Sequence, residues 1–75
     1  MQLQGIQMIL KAKFKLSVDD MRLKISGFRF KEFIVSKTIE DKKCIVIGEQ
    51  LDIMHLIGHL AVDQMSILEA VTEVI

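Results

Sequence analysis

From Gly48 onward the chain carries a single polar strip, in which Asp52, His55, His59, Asp63, Ser66, Glu69 and Glu73 recur at spacings of 3, 4, 4, 3, 3 and 4 residues. Those steps follow the 3.6-residue turn of an α-helix and predict one continuous helix over Gly48–Ile75 with a water-facing edge. Ile53, Ile57, Leu60, Ile67, Val71 and Ile75 fall opposite the strip, and Met54, Ala61, Met65 and Leu68 widen the apolar arc beyond one contact surface. A helix of this kind needs two neighbours. Gly58 weakens its interior, no proline breaks it, and Ser66 with Glu69 matches a capping box that would start a second helix near residue 66.

Length turns the pattern into an expectation about assembly. Residues 48 to 75 as one helix extend about 40 Å, whereas a compact domain of this size has a radius of gyration of about 11 Å. Either the helix breaks between Val62 and Ser66, or another copy of the chain covers its overhanging flank. The second reading is adopted: a homo-oligomer, with a dimer favoured, associating through Met54, Ile57, Ala61, Met65, Leu68 and Val71. An apolar fraction of 51% and a mean hydropathy of +0.38 are high for 75 residues and point the same way. With Cys44 as the only cysteine, no disulfide within the chain can compensate for a small core.

Upstream the apolar period is two. Ile6, Met8, Leu10, Ala12, Phe14 and Leu16 alternate with Gln7, Ile9, Lys11, Lys13 and Lys15, which predicts a half-buried strand. Ser17-Val18-Asp19-Asp20 supplies a turn, and Met21, Leu23 and Ile25 alternate with Arg22 and Lys24 as a returning strand. The phase slips at Ser26-Gly27, which fits a two-residue turn between two strands or a bulge within one; the bulge is preferred because it gives Ile6 to Leu16 a full-length partner, with Phe28 and Phe30 on the apolar face opposite Leu10 and Met8 and Arg29 and Lys31 outward. Ile34, Val35 and Ile39 continue extended, Glu40-Asp41-Lys42-Lys43 turns, and Cys44 to Ile47 is the last strand. The expected fold is a single α+β domain over residues 1–75. It consists of an antiparallel three- or four-stranded β-meander followed by the long C-terminal α-helix on one sheet face, in the order β-β-β-α.

Charge is segregated along the chain. Ten bases against five acids leave residues 1–43 at +5, while five acids and no base leave residues 44–75 at −5. The meander gathers Lys11, Lys13, Lys15, Arg22, Lys24, Arg29 and Lys31 on its outer face, a candidate surface for an acidic protein or a nucleic-acid backbone. Base-stacking aromatics are missing from that reading, because Phe14, Phe28 and Phe30 point inward by phase.

Other chemistry is thin. His55 and His59 stand at i, i+4 with Asp52 and Asp63 on the same stripe, a weak metal candidate, since two helical ligands do not close a zinc site. No glycine-rich phosphate loop or nucleophile motif occurs, so neither an enzyme nor a cofactor is expected. Met1-Gln2-Leu3-Gln4-Gly5 has no basic region of an export signal, and acids and histidines interrupt the C-terminal apolar run. No membrane association is expected. Cys44, inside an apolar run, reads as an inert buried thiol suited to a reducing cytoplasm. These features predict a cytoplasmic, non-catalytic protein-interaction protein of the inhibitor, adaptor or regulatory-subunit kind that binds a protein partner and itself. Nucleic-acid binding through the basic face is the alternative.

Overall fold

Leu10, Ala12 and Phe14 alternate with Lys11 and Lys13, and they form strand β1 (Ile9–Phe14) with the apolar residues inward and Lys11 exposed. The computed structural model describes residues 8–27, 32–40, 42–60 and 62–74. Around β1 the sheet is completed by β2 (Ile34–Lys37), β3 (Cys44–Glu49) and β4 (Leu68–Glu73), in the order β2-β3-β1-β4 with every neighbouring pair antiparallel. Two α-helices, α1 (Val18–Ile25) and α2 (Gln50–Gly58), interrupt the strands. The order of elements, β-α-β-β-α-β with β1 and β3 side by side at the centre, is the split βαβ arrangement.

The fold is α+β, but it is not a meander followed by a helix. Residues 18–25, expected as the strand returning from β1, form α1 instead. Ser17 caps the helix, its side chain accepting a hydrogen bond from the Asp20 N–H at 3.2 Å. Asp19 and Asp20 occupy the positive end of its dipole, Arg22 and Lys24 the negative end, and the Ser26 hydroxyl closes the last turn on the Leu23 carbonyl at 2.7 Å. Leu16 and Met21 take the two positions of a hydrophobic staple around that cap. Val18, Met21 and Ile25 turn toward the core at helical spacing, whereas Leu23, which a strand would have buried beside them, is 73% exposed. The bulge expected at Ser26-Gly27 has no strand to sit in, and the proposed partners Phe28 and Phe30 lie outside the described residues.

The expected continuous helix over residues 48–75 is also overturned. α2 spans only Gln50–Gly58, a 3₁₀ segment follows over Val62–Ile67, and the chain returns to the sheet as β4. A second helix starting near residue 66 is therefore absent as well, because Leu68 already pairs with Phe14. Where the helix does form, its buried side is turned from the expected one: Ile53 is buried as expected and so is Leu60 just past the helix end, but Leu56, beside the polar strip, is fully buried while Ile57 is only half-buried. The tail gains more from the sheet than from overhanging it, since β4 supplies β1 with its second hydrogen-bonded neighbour and leaves no long apolar rod to be covered. The β2–β3 hairpin agrees with the sequence, its turn tied by the Thr38 hydroxyl donating to the Glu40 carbonyl at 2.9 Å and by the Lys43 N–H donating to the same carbonyl at 3.2 Å.

Cross-strand partners share a face, so the register sorts the sheet into two sides. Leu10, Ala12, Phe14, Val35, Cys44 and Val46 fall on one side, and with Met21 from α1 and Ile53, Leu56 and Leu60 from α2 and its end they make one core cluster. Both helices thus cover the same face. Cys44 is fully buried, and burial pushes its thiol pKa up, which keeps it protonated and unreactive at neutral pH. Gly48 shares this face opposite Leu10, and a Cβ there would lie 3.1 Å from Phe33 Cδ1 and 3.4 Å from the Glu32 carbonyl oxygen. Alanine for glycine in a strand ordinarily gains about 0.5–1 kcal/mol, but here the Phe33 ring must give way. Gly48→Ala is therefore expected to be close to neutral and Gly48→Val to lose about 1–3 kcal/mol in urea unfolding. A stabilising Gly48→Val would show that Phe33 does not close over this glycine.

Candidate interaction surface

With both helices on one side, no described helix or strand forms a second layer on the other side of the sheet. The register lays it out in rows across β2, β3, β1 and β4: Glu49 and Ile9 with Val74 beyond them, then Ile34, Ile47, Lys11 and Thr72, then Ser36, Ile45, Lys13 and Ala70. Lys43 and Lys15, the residues flanking β3 and β1, extend the pattern at the next row by strand alternation. Ile9, Ile45 and Ile47 are half-buried by their neighbours, and Ile34 is 65% exposed. An antiparallel sheet with one solvated face normally turns polar residues outward. This one turns four isoleucines outward and rims them with lysines and glutamates.

Glu69 fixes the basic end of this face. Ala70 pairs with Lys13 and Leu68 with Phe14, so Glu69 is the extra residue of a β-bulge. Its carboxylate meets Lys13 at 3.3 Å and Lys43 at 2.9 Å, while Lys43 also reaches Glu40 at 3.5 Å. The hydrogen bond from Lys43, with Lys13 adding to it, holds the Glu69 carboxyl below its ordinary range, and the hydrogen bond to Glu69 raises the Lys43 ammonium above its own. A lowered carboxyl stabilises the fold above its ordinary value of 4.5 and loses that contribution as pH falls through the lowered one; a raised ammonium stabilises below 10.5 and loses it as pH rises further. The stability difference between the native chain and Glu69→Gln is therefore expected to be small, flat between those limits, to vanish on either side and to shrink with salt. A difference that persists in acid, once the Glu69 carboxyl is protonated, would place its origin outside the ion pairs.

At the opposite end, where β3 runs into α2, Ile9, Ile34, Ile47 and Gly48 floor an open groove of about 440 Å³ with Glu32, Glu49 and Asp52 on its walls. The uncovered face is thus acidic at one end, apolar in the middle and basic at the other.

The residues expected to form the basic surface are dispersed. Lys11, Lys13 and Lys15 do share the open face, but Arg22 and Lys24 belong to α1 on the covered side, where Arg22 lines a recess with Ser17, Asp19 and Lys37. Arg29 and Lys31 lie outside the described residues. Lys13 is already engaged by Glu69, and neither Phe14 nor Phe33 is presented on the open side, both belonging to the core or packing against it. The expected self-association stripe is dispersed too: Met54 and Ile57 are on α2, Met65 on the 3₁₀ segment, and Leu68 and Val71 on β4, with Ala61 outside the described residues. Met54 and Met65 are exposed, Ile57 and Leu68 are half-buried against the core, and no single helix face joins them.

Asp52 and His55 lie in α2, His59 caps it, and Asp63 lies on the 3₁₀ segment. Among the described residues no group of three or more His, Cys, Asp or Glu is placed to hold a metal ion, and no helix is long and apolar enough to cross a membrane. The isoleucines of the open face escaped the sequence reading, although Ile45 and Ile47 alternate with the buried Cys44 and Val46 and Ile9 falls among the outward positions of β1. That alternation was their signal. Compared with protein-family models, with curated proteins and with solved structures, the chain matches none.

Proposed function

We propose that this chain is a non-catalytic protein-interaction module of the adaptor or regulatory-subunit kind, and that its working surface is the open face of the sheet. The observation that carries this reading is the set Ile9, Ile34, Ile45 and Ile47 on a face that neither helix covers. Apolar surface on a soluble domain, gathered in one place and rimmed by charge, is the mark of a contact made with another macromolecule. A protein partner suits the face better than a nucleic acid. Isoleucines offer shape and apolar area but no stacking plane for bases, and the lysines at the basic end are partly neutralised by Glu69.

A photo-crosslinking residue in place of Ser36, in the middle of the open face, is expected to give a discrete adduct with a protein chain in the native cell. The adduct should disappear when Ile47→Lys is added, and the same group at Asp19 on α1 should give none. Equal yields from both positions, or no adduct from Ser36, would remove the open face as the working surface.

A further inference from the structure

We infer that the occupant of the open face is a second copy of this chain, laid antiparallel so that the acidic groove of each copy receives Lys15 of the other. This rests on the reading of the open face as a contact surface and adds what covers it. The reason is that the face is complementary to itself in one orientation only. A twofold axis between two stacked sheets runs either along the strands or across them. Along the strands, it keeps the rows in step and exchanges β1 with β3, so the acidic end of one copy lies over the acidic end of the other and Lys15 over Lys43. Across the strands, it reverses the rows. The row of Ile47 then lies over the second copy's row of Ile45, making a four-isoleucine centre, and the acidic end lies over the basic end at both extremes.

The detail of the basic end selects Lys15. Lys43 is held by Glu69 and Glu40, and Lys13 is held by Glu69. In the reversed stack Lys11 comes over the second copy's Lys13, whose charge Glu69 balances. Lys15 is exposed, extends β1 beyond Phe14, and in that stack comes over Ile9 at the mouth of the groove. A lysine fits the lining there: its methylene stem runs along Ile9, Ile34 and Ile47 while its ammonium reaches Glu32. Four strands about 4.8 Å apart and about 20 Å long give a small contact, at the low end of specific interfaces, so association in the micromolar range is expected.

The test uses charge reversal in the full chain, with circular dichroism confirming that each variant folds. The native chain should be dimeric by sedimentation equilibrium at about 500 μM and dissociate toward monomer at about 1 μM, more readily in high salt. Lys15→Glu alone and Glu32→Lys alone should each weaken the dimer at least tenfold, by setting acid on acid or base on base at both ends. Mixing the two variants should restore it, because in the mixed dimer both ends again pair opposite charges. A native chain that stays monomeric at about 500 μM, or a mixture that associates no better than its components, overturns the inference. Failure here is separable from failure of the broader reading: a monomeric chain that still crosslinks from Ser36 to a different protein loses only the second copy, whereas loss of every adduct removes both.

Discussion

Replacing Phe14 with alanine is expected to cost about 3–5 kcal/mol, the range for deleting a buried aromatic side chain. Phe14 is fully closed to solvent on the central strand, in one core cluster with Met21 from α1, Cys44 and Val46 from β3, and Ile53 and Leu56 from α2. A chain of 75 residues has a total stability of about 4–11 kcal/mol, so this single change takes about a quarter of it or more. The helices cannot collapse into the gap easily, because both rest on the same sheet face and each is anchored by few buried residues: Met21 in α1, Ile53 and Leu56 in α2. Urea unfolding followed by circular dichroism is expected to show a midpoint well below that of the native chain for Phe14→Ala. A loss under about 1.5 kcal/mol would mean that Phe14 is not where the two layers meet.

Proline at two adjacent positions of β4 should give unequal results. The Val74 N–H donates to the Ile9 carbonyl at 2.8 Å, and in an antiparallel ladder the inward donors recur at every second residue, so Thr72 also points its N–H at β1 while Val71 points its own away from the sheet. Thr72→Pro deletes a ladder bond and leaves the Lys11 carbonyl short of a donor, at an expected loss of about 2–3 kcal/mol. Val71→Pro removes a donor that faces solvent on an edge strand and a side chain already 39% exposed, at an expected loss of about 1 kcal/mol or less. Were residues 68–73 helical, both prolines would sit in a helix interior and each would cost about 3 kcal/mol. Equal and large losses would therefore return this segment to the helix that its polar spacing suggests.

That spacing explains where sequence reasoning stopped. Ser66, Glu69 and Glu73 continue the helical step set by Asp52, His55, His59 and Asp63, yet they are polar for other reasons, Glu69 because it sits in a bulge and neutralises Lys13 and Lys43. The competing signal was the run Val71-Thr72-Glu73-Val74-Ile75, β-branched at every position but Glu73, which favours a strand. At residues 18–25 two periods were equally available. Met21, Leu23 and Ile25 satisfy a strand, and Val18, Met21 and Ile25 satisfy a helix; the cap at Ser17, the acids after it and the bases before Ser26 decide for the helix. The phase of β1 and the β2–β3 hairpin were legible because there only one period fits.

Those two misread segments carried the expected sites with them. A basic face of seven residues required residues 22 and 24 to be in a strand, and a self-association stripe required residues 54 to 71 to be one helix. Strand order is the deeper loss, since β1 pairs with β3 and β4 across long stretches of chain and no local pattern states which distant strands will meet. Once β1 and β3 are neighbours, the outward isoleucines of each become one surface, and that surface exists only in the assembled sheet.

Selective methyl labelling of isoleucine, leucine and methionine, with a soluble paramagnetic agent added, tests that surface directly. On raising the chain from about 10 μM to about 500 μM, the methyl groups of Ile34, Ile45 and Ile47 should become shielded from the agent, while Leu51 and Met54 on α2 stay as accessible as before. Shielding of Leu51 and Met54 with the open-face isoleucines unchanged would contradict the account and put the contact on the helix side.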